Sequence, residues 1–148
     1  MKTKRLVMLL FAALLVSGIS FSQSASAYPG VAETPYTAIS LQNDQFYSGY
    51  ILYPNYADVD WFKWTNNTGS NVNISLFLWS PNYTNFDFVV RMFSPDGSSL
   101  PAYENEDGTI DSFGITNLLP GATVYWRVAG HNGTYSLSDQ YTTWIHIN

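Results

Sequence analysis

Two histidines, His131 and His146, are the candidate general bases of a chain that has no cysteine. Nucleophilic catalysis needs such a base within hydrogen-bond reach of its nucleophile. His131 falls in "GHNG", the tip of an expected hairpin, and His146 alternates with Trp144 on the outer side of the last apolar run, so both read as surface residues. No Gly-x-Ser-x-Gly elbow, His-Glu-x-x-His pair or glycine-rich phosphate loop occurs. Two separated histidines without cysteine also argue against zinc.

Carboxylates offer two further chemistries. Asp58, Asp60, Glu104, Glu106, Asp107 and Asp111 could converge as the acid and base of a small hydrolase, in the manner of a glycosidase. Yet "AYENEDGTID" has the composition of a solvated loop, and Asp60 stands at the start of a run, where a backbone cap is expected. Calcium suits these acids better than catalysis does, because hard cations take about six to eight oxygens from carboxylates and carbonyls on loops. Its candidate ligands are Asp58, Asp60, Glu104, Glu106 and Asp107, although their spacing does not follow the EF-hand pattern. The expectation is a protein that is not an enzyme and has no cofactor other than calcium.

Aromatic residues are the other chemical resource, with five Trp and eleven Tyr. Alternation places Trp64 and Trp126 inward and leaves Trp61, Phe77, Trp79, Tyr125 and Trp144 facing outward. Rings set in a row on a sheet can stack on the apolar faces of sugars or on a partner protein, and large exposed aromatic patches are uncommon without a reason. These five are the candidate ligand-binding residues.

The elements that must carry them follow from a period of two. "NVNISLFLW" puts Val72, Ile74, Leu76 and Leu78 on one side and Asn73, Ser75, Phe77 and Trp79 on the other. "TVYWRV", "DWFKWT" and "DFVVRMF" repeat the pattern, with Val124, Trp126 and Val128, Phe62 and Trp64, and Phe88, Val90 and Met92 inside. No window after the leader holds a helical apolar stripe. Turn chemistry separates the runs: "TNNTGSN", "SPDG", "LPGA" and "AGHNGT", the last with the Asn132-Gly133 pair that favours a tight hairpin. Short strands at regular spacing without helices imply an all-β sandwich or barrel of one domain.

Residues 1–27 read as a secretory signal peptide: Lys2, Lys4 and Arg5, an apolar run from Leu6 to Val16, and a small-residue end at Ala25-Ser26-Ala27. Residues 28–36, "YPGVAETPY", read as an extended lead-in, and residues 37–148 as the domain. No later segment is long and apolar enough to span a bilayer as a helix, so release outside the cell is expected. Of six basic residues three belong to the leader, which leaves Lys63, Arg91 and Arg127 against eleven acids, a net charge of −8. These three are scattered singly along the chain. Nucleic acid and anionic membrane surfaces are therefore not expected as partners, because both need clustered cations.

The order of the runs resembles a known family. "DVDWFKWT", "NVNISLFL", "DFVVRMFSPDG", "LLPGATVYWRV" and "GTYSLS" are similar to the successive strand motifs of the bacterial pre-peptidase C-terminal domain, from about Ile39 to Leu137. The resemblance implies a jelly-roll-like antiparallel β-sandwich without catalysis of its own, an accessory module on the C-terminal side of secreted proteases and collagenases. Two departures stand out. A catalytic domain is missing from the chain, and an acidic residue often found within the family's second strand falls on Val89, with only Asp87 kept.

The expected function is a secreted, non-catalytic module that binds an extracellular polysaccharide or protein through the outward aromatics. Two other readings compete: an inhibitor or toxin-like protein that docks on one specific protein, and a small carboxylate-dependent hydrolase.

Overall fold

The computed structural model describes residues 32–55, 57–81, 84–104 and 110–148. The leader, the first part of the lead-in, Glu106 and Asp107 lie outside the described residues, and of Glu104 the backbone alone is described. Strands run as β1 (Ile39–Ser40), β2 (Tyr47–Gly49), β3 (Asp60–Thr65), β4 (Val72–Trp79), β5 (Phe86–Phe93), β6 (Tyr103–Glu104), β7 (Ile110–Leu118), β8 (Thr123–Gly130) and β9 (Tyr141–Ile147). The helical pieces among the described residues are single 3-10 turns, Pro35–Thr37 and His131–Gly133.

One sheet has the order β1-β3-β8-β5-β6 and the other β2-β9-β4-β7. Without β1, this is the strand order of a jelly roll, in which eight strands of two Greek keys share two four-stranded sheets. The all-β fold expected from the period of two is observed, and so is the jelly-roll-like sandwich that the resemblance implied. Only β1 departs from the antiparallel rule, pairing in parallel with β3.

The expected inner faces are buried. Ile74, Leu76 and Leu78 of β4 meet Phe88 and Val90 of β5 and Val124, Trp126 and Val128 of β8 in one core. Each such aliphatic side chain stabilises the fold by about 1.5–3 kcal/mol relative to exposure. The largest fully buried side chain, Trp126, is held on two sides. Trp126 stacks on Phe62 with centroids 5.6 Å apart, and its indole N–H donates to Thr143 Oγ1 at 2.9 Å. Thr143 passes the bond on to the Phe77 carbonyl at 2.7 Å.

Turn residues act as their chemistry predicts in two places. In "SPDG" the Gly97 N–H closes on the Ser94 carbonyl at 2.9 Å, with Gly97 at φ 83. In "LPGA" the Ala122 N–H returns to Leu119 at 3.1 Å, and Gly121 takes the positive φ, 81, that the position after proline demands in a type II turn.

Two expectations are corrected. Asn132-Gly133 does not make a hairpin, because β8 and β9 belong to different sheets and the chain must cross between them rather than fold back. It forms a 3-10 turn instead, and "GTYSLS" leads through loop into β9 rather than forming a closing strand. The stretch "AYENEDGTID", expected as a solvated loop, instead holds β6 at Tyr103–Glu104 and the first two residues of β7, with Asp111 buried, and the apolar residues of β7 break the period of two. Between Val72 and Ile74 the register slips, so Ile115 and Leu118, three apart, both face the core. Asn117 takes φ 55 at this bulge, and Asn73 Oδ1 accepts its N–H at 3.0 Å.

Candidate functional site

Each histidine is held by its own carboxylate. His131 Nδ1 lies 2.6 Å from Asp87 Oδ2 at the end of β8, and His146 Nδ1 lies 2.7 Å from Asp44 Oδ1 on β9. The fold does not bring the two together.

The acids do not behave as surface groups. Asp58 and Asp60 are buried. Asp58 Oδ2 accepts the Leu52 N–H at 2.6 Å, and Asp60 Oδ2 accepts the Tyr141 hydroxyl. Asp60 is thus not the backbone cap expected at a strand start, because its position in the pleat turns it into the core beside Tyr141. Burial pushes its carboxyl up to about 7; the Tyr141 bond acts the other way, and the charges of Asp58 and Glu33 add to the rise. Burial raises Asp58 too, against the Leu52 N–H and with the help of Glu33. Burial, then the Asp60 charge, carries Tyr47 to about 12.

Asp111 lies on β7 in the other sheet, opposite Leu78. Among the described residues, no three His, Asp or Glu side chains are grouped to hold a metal ion. Asp58 and Asp60 each give one carboxylate oxygen, Oδ2, to a bond within the protein.

The five outward aromatics separate onto the two opposite outer faces. Phe77, Trp79 and Trp144 stand on the β2-β9-β4-β7 face. Phe77 and Trp144 are cross-strand neighbours, stacked 4.8 Å apart at 14°. Phe46, just before the three-residue strand β2, packs tilted at 36° on the far side of Trp144, its centroid 5.1 Å away. Three rings therefore form a row across the sheet, with Trp79, 42% exposed, one pleat along β4. On the other side of Phe77 the edge strand β7 supplies only Ser112 and Gly114. A Cβ on Gly114 would meet nothing within 4 Å.

Trp61 and Tyr125 lie on the face of β3, β8 and β5. Trp61 is only 6% exposed and so offers no platform. Its ring is overlaid by the guanidinium groups of Arg91, 5.9 Å away, and Arg127, 6.0 Å away, and its backbone N–H donates to the Ala32 carbonyl at 2.8 Å.

The same face corrects the reading of the cations as scattered. Lys63 and Arg91 flank Tyr125 from the strands on either side, and Arg127 sits between Trp61 and Val89. Residues far apart in sequence become neighbours because β3, β8 and β5 are adjacent in the sheet. Lys63, Arg91, Tyr125, Thr123, Phe93, Pro35 and Tyr36 line an open depression of about 610 Å³ there.

No family model matches the sequence, and no curated protein matches it. In structure the chain is similar to the pre-peptidase C-terminal domain of collagenase from Bacillus anthracis, with a TM-score of 0.48 and 16% identity, over 73% of this chain and 93% of that chain. What makes this chain a jelly roll is its own strand order.

Proposed function

We propose that the chain is a secreted, non-catalytic binding module that holds a neutral polysaccharide on the outer face of the β2-β9-β4-β7 sheet. The observation that carries this reading is the row Phe46, Trp144, Phe77, which stops at Ser112 and Gly114. Neighbouring strands lie about 4.8 Å apart, the spacing of stacked rings, so the position above Ser112 is where a fourth ring would stand. A sugar presenting its C–H face to Phe77 fits that slot.

The rest of the face suits a neutral polyol. Ser112, Ser48 and Thr142 offer hydroxyls, the latter two joined at 2.9 Å, and the His146–Asp44 pair lies toward the end of β9. Export is the role proposed for residues 1–27.

The test is retention on insoluble cellulose, chitin and xylan. The native chain is expected to be held by at least one matrix, Trp144→Ala and Trp79→Ala to be held about tenfold less, and Ser112→Trp, which fills the slot from within, to be lost into the flow-through. Passage of the native chain through every matrix, or equal retention of all three variants, overturns the proposal. Stoichiometric co-purification of one protein that Trp144→Ala releases would replace it with docking on that protein.

A further inference from the structure

Every basic residue that follows the leader stands on one outer face of a domain that carries eleven acids. Among the described residues, Lys63, Arg91 and Arg127 take part in no ion pair. A domain with so many carboxylates could readily pair three cations; here the two arginines turn instead toward an aromatic ring. Trp61 holds the guanidinium groups of Arg91 and Arg127 against its ring. Arg91 and Lys63 sit one strand to each side of Tyr125, a span of about 10 Å at the usual strand spacing.

We propose that the depression between Lys63 and Arg91 binds an anionic sugar residue, a pyranose ring carrying a carboxylate. The span between the two backbones is wide enough to seat a ring over Tyr125. Phe93 meets Tyr125 edge-on at 5.4 Å and fixes the floor. Tyr36, 96% exposed on the 3-10 turn Pro35–Thr37, stands at the rim as a second wall. A carboxylate is drawn to the cations while the ring's C–H face rests on the aromatic floor.

Few cations and many surrounding acids set the charge density of the ligand. Affinity for a polyanion grows with the number of cations that replace its counterions, and three cannot hold a densely charged strand against eleven carboxylates. One negative group per ring contact is what the site can accept. The site lies on the opposite face from the ring row, so this inference and the function proposed above fail separately.

The experiment is titration of the full chain, followed by NMR or calorimetry, with a galacturonate trimer, its carboxyl-reduced galactose counterpart, and inorganic sulfate. The galacturonate trimer is expected to bind, the reduced trimer at least tenfold more weakly, and sulfate with no shift in the Tyr36 or Tyr125 rings. Arg91→Gln and Lys63→Gln should each weaken the trimer about tenfold, and Tyr36→Ala, which removes an exposed ring and leaves the core intact, several-fold. Trp144→Ala should bind it as the native chain does. Equal affinity for the reduced trimer, no binding at millimolar galacturonate, or indifference to both Arg91→Gln and Tyr36→Ala overturns the inference. Sulfate that competes fully with the trimer and shifts the same rings also overturns it, leaving a plain anion site.

Discussion

The hydroxyl of Tyr141 donates to the carboxylate of Asp60 between the two sheets, where both side chains are buried. A folded-state carboxyl near 7, far above the ordinary aspartate value of 3.8, means that the folded protein binds a proton the unfolded chain has released. Stability from this group is fully present below pH 4 and is lost as pH rises through 7. The unfolding free energy from urea titration should therefore be larger at pH 5 than at pH 8, by on the order of 2–4 kcal/mol before the other groups are counted. Asp60→Asn should flatten that slope. A native profile that rises from pH 5 to pH 8 would contradict the assignment.

Removing the donor acts in a predictable direction. In Tyr141→Phe the Asp60 carboxylate loses the bond that favours its charged form, so its titration moves upward and the loss of stability continues to higher pH. Carbon-13 shifts of the Asp60 carboxyl in the two proteins measure this directly.

Trp126 and Thr143 form one buried relay, ending on the Phe77 carbonyl. Trp126→Ala should cost about 3–5 kcal/mol, the range for a large core ring. Thr143→Val keeps the shape and strands the indole N–H, a loss of about 1–3 kcal/mol. Chemical denaturation of both variants gives the values, and a near-native Trp126→Ala would show that the inner face of β8 is wrongly assigned.

Two glycines should respond oppositely to the same change. A Cβ on Gly130 would lie 1.5 Å from the Thr134 carbonyl oxygen, so Gly130→Ala must displace the loop after β8 and should lower the thermal midpoint by many degrees. Gly114 has open space, and Gly114→Ala should leave the midpoint within a few degrees of native. Thermal melts of the pair suffice.

Asn66 is the buried corner that joins β3 to the turn before β8. Its amide donates to Ser70 and Leu118, each at 2.8 Å, and its Oδ1 accepts from Thr68. Asn66→Ala leaves the buried Leu118 carbonyl and the half-buried Ser70 carbonyl without that donor and should cost about 1–3 kcal/mol in a urea titration.

Where strands alternate cleanly, as in β3, β4, β5 and β8, the amino acids alone place each side chain inside or outside, because burial on one face imposes a period of two. β7 escaped because its bulge at Asn117 changes which residues face inward, and β1 and β2 because two or three residues carry no period. The candidate site was legible only as a set of outward rings. Which rings share a face depends on strand order: Phe77 and Trp144 meet across β4 and β9, whereas Trp61 sits on the opposite sheet. Phe46 and the grouping of Lys63, Arg91 and Arg127 were hidden for the same reason, since no local signal reports which strands become neighbours. Asp60 was misjudged because a buried carboxyl and a capping one look alike in sequence, and the residue that distinguishes them, Tyr141, arrives eighty-one positions later.

β1 and β6 close one sheet with two residues each, and β2 closes the other with three. Such stubs offer a neighbouring molecule too few free amides and carbonyls to start a shared ladder. The remaining border, β7, is broken by the twist at Asn117. Crowded copies of this domain should therefore stay separate without help from covalent cross-links, and any polymer they assemble on would gather them by its own length and not by strand-to-strand adhesion.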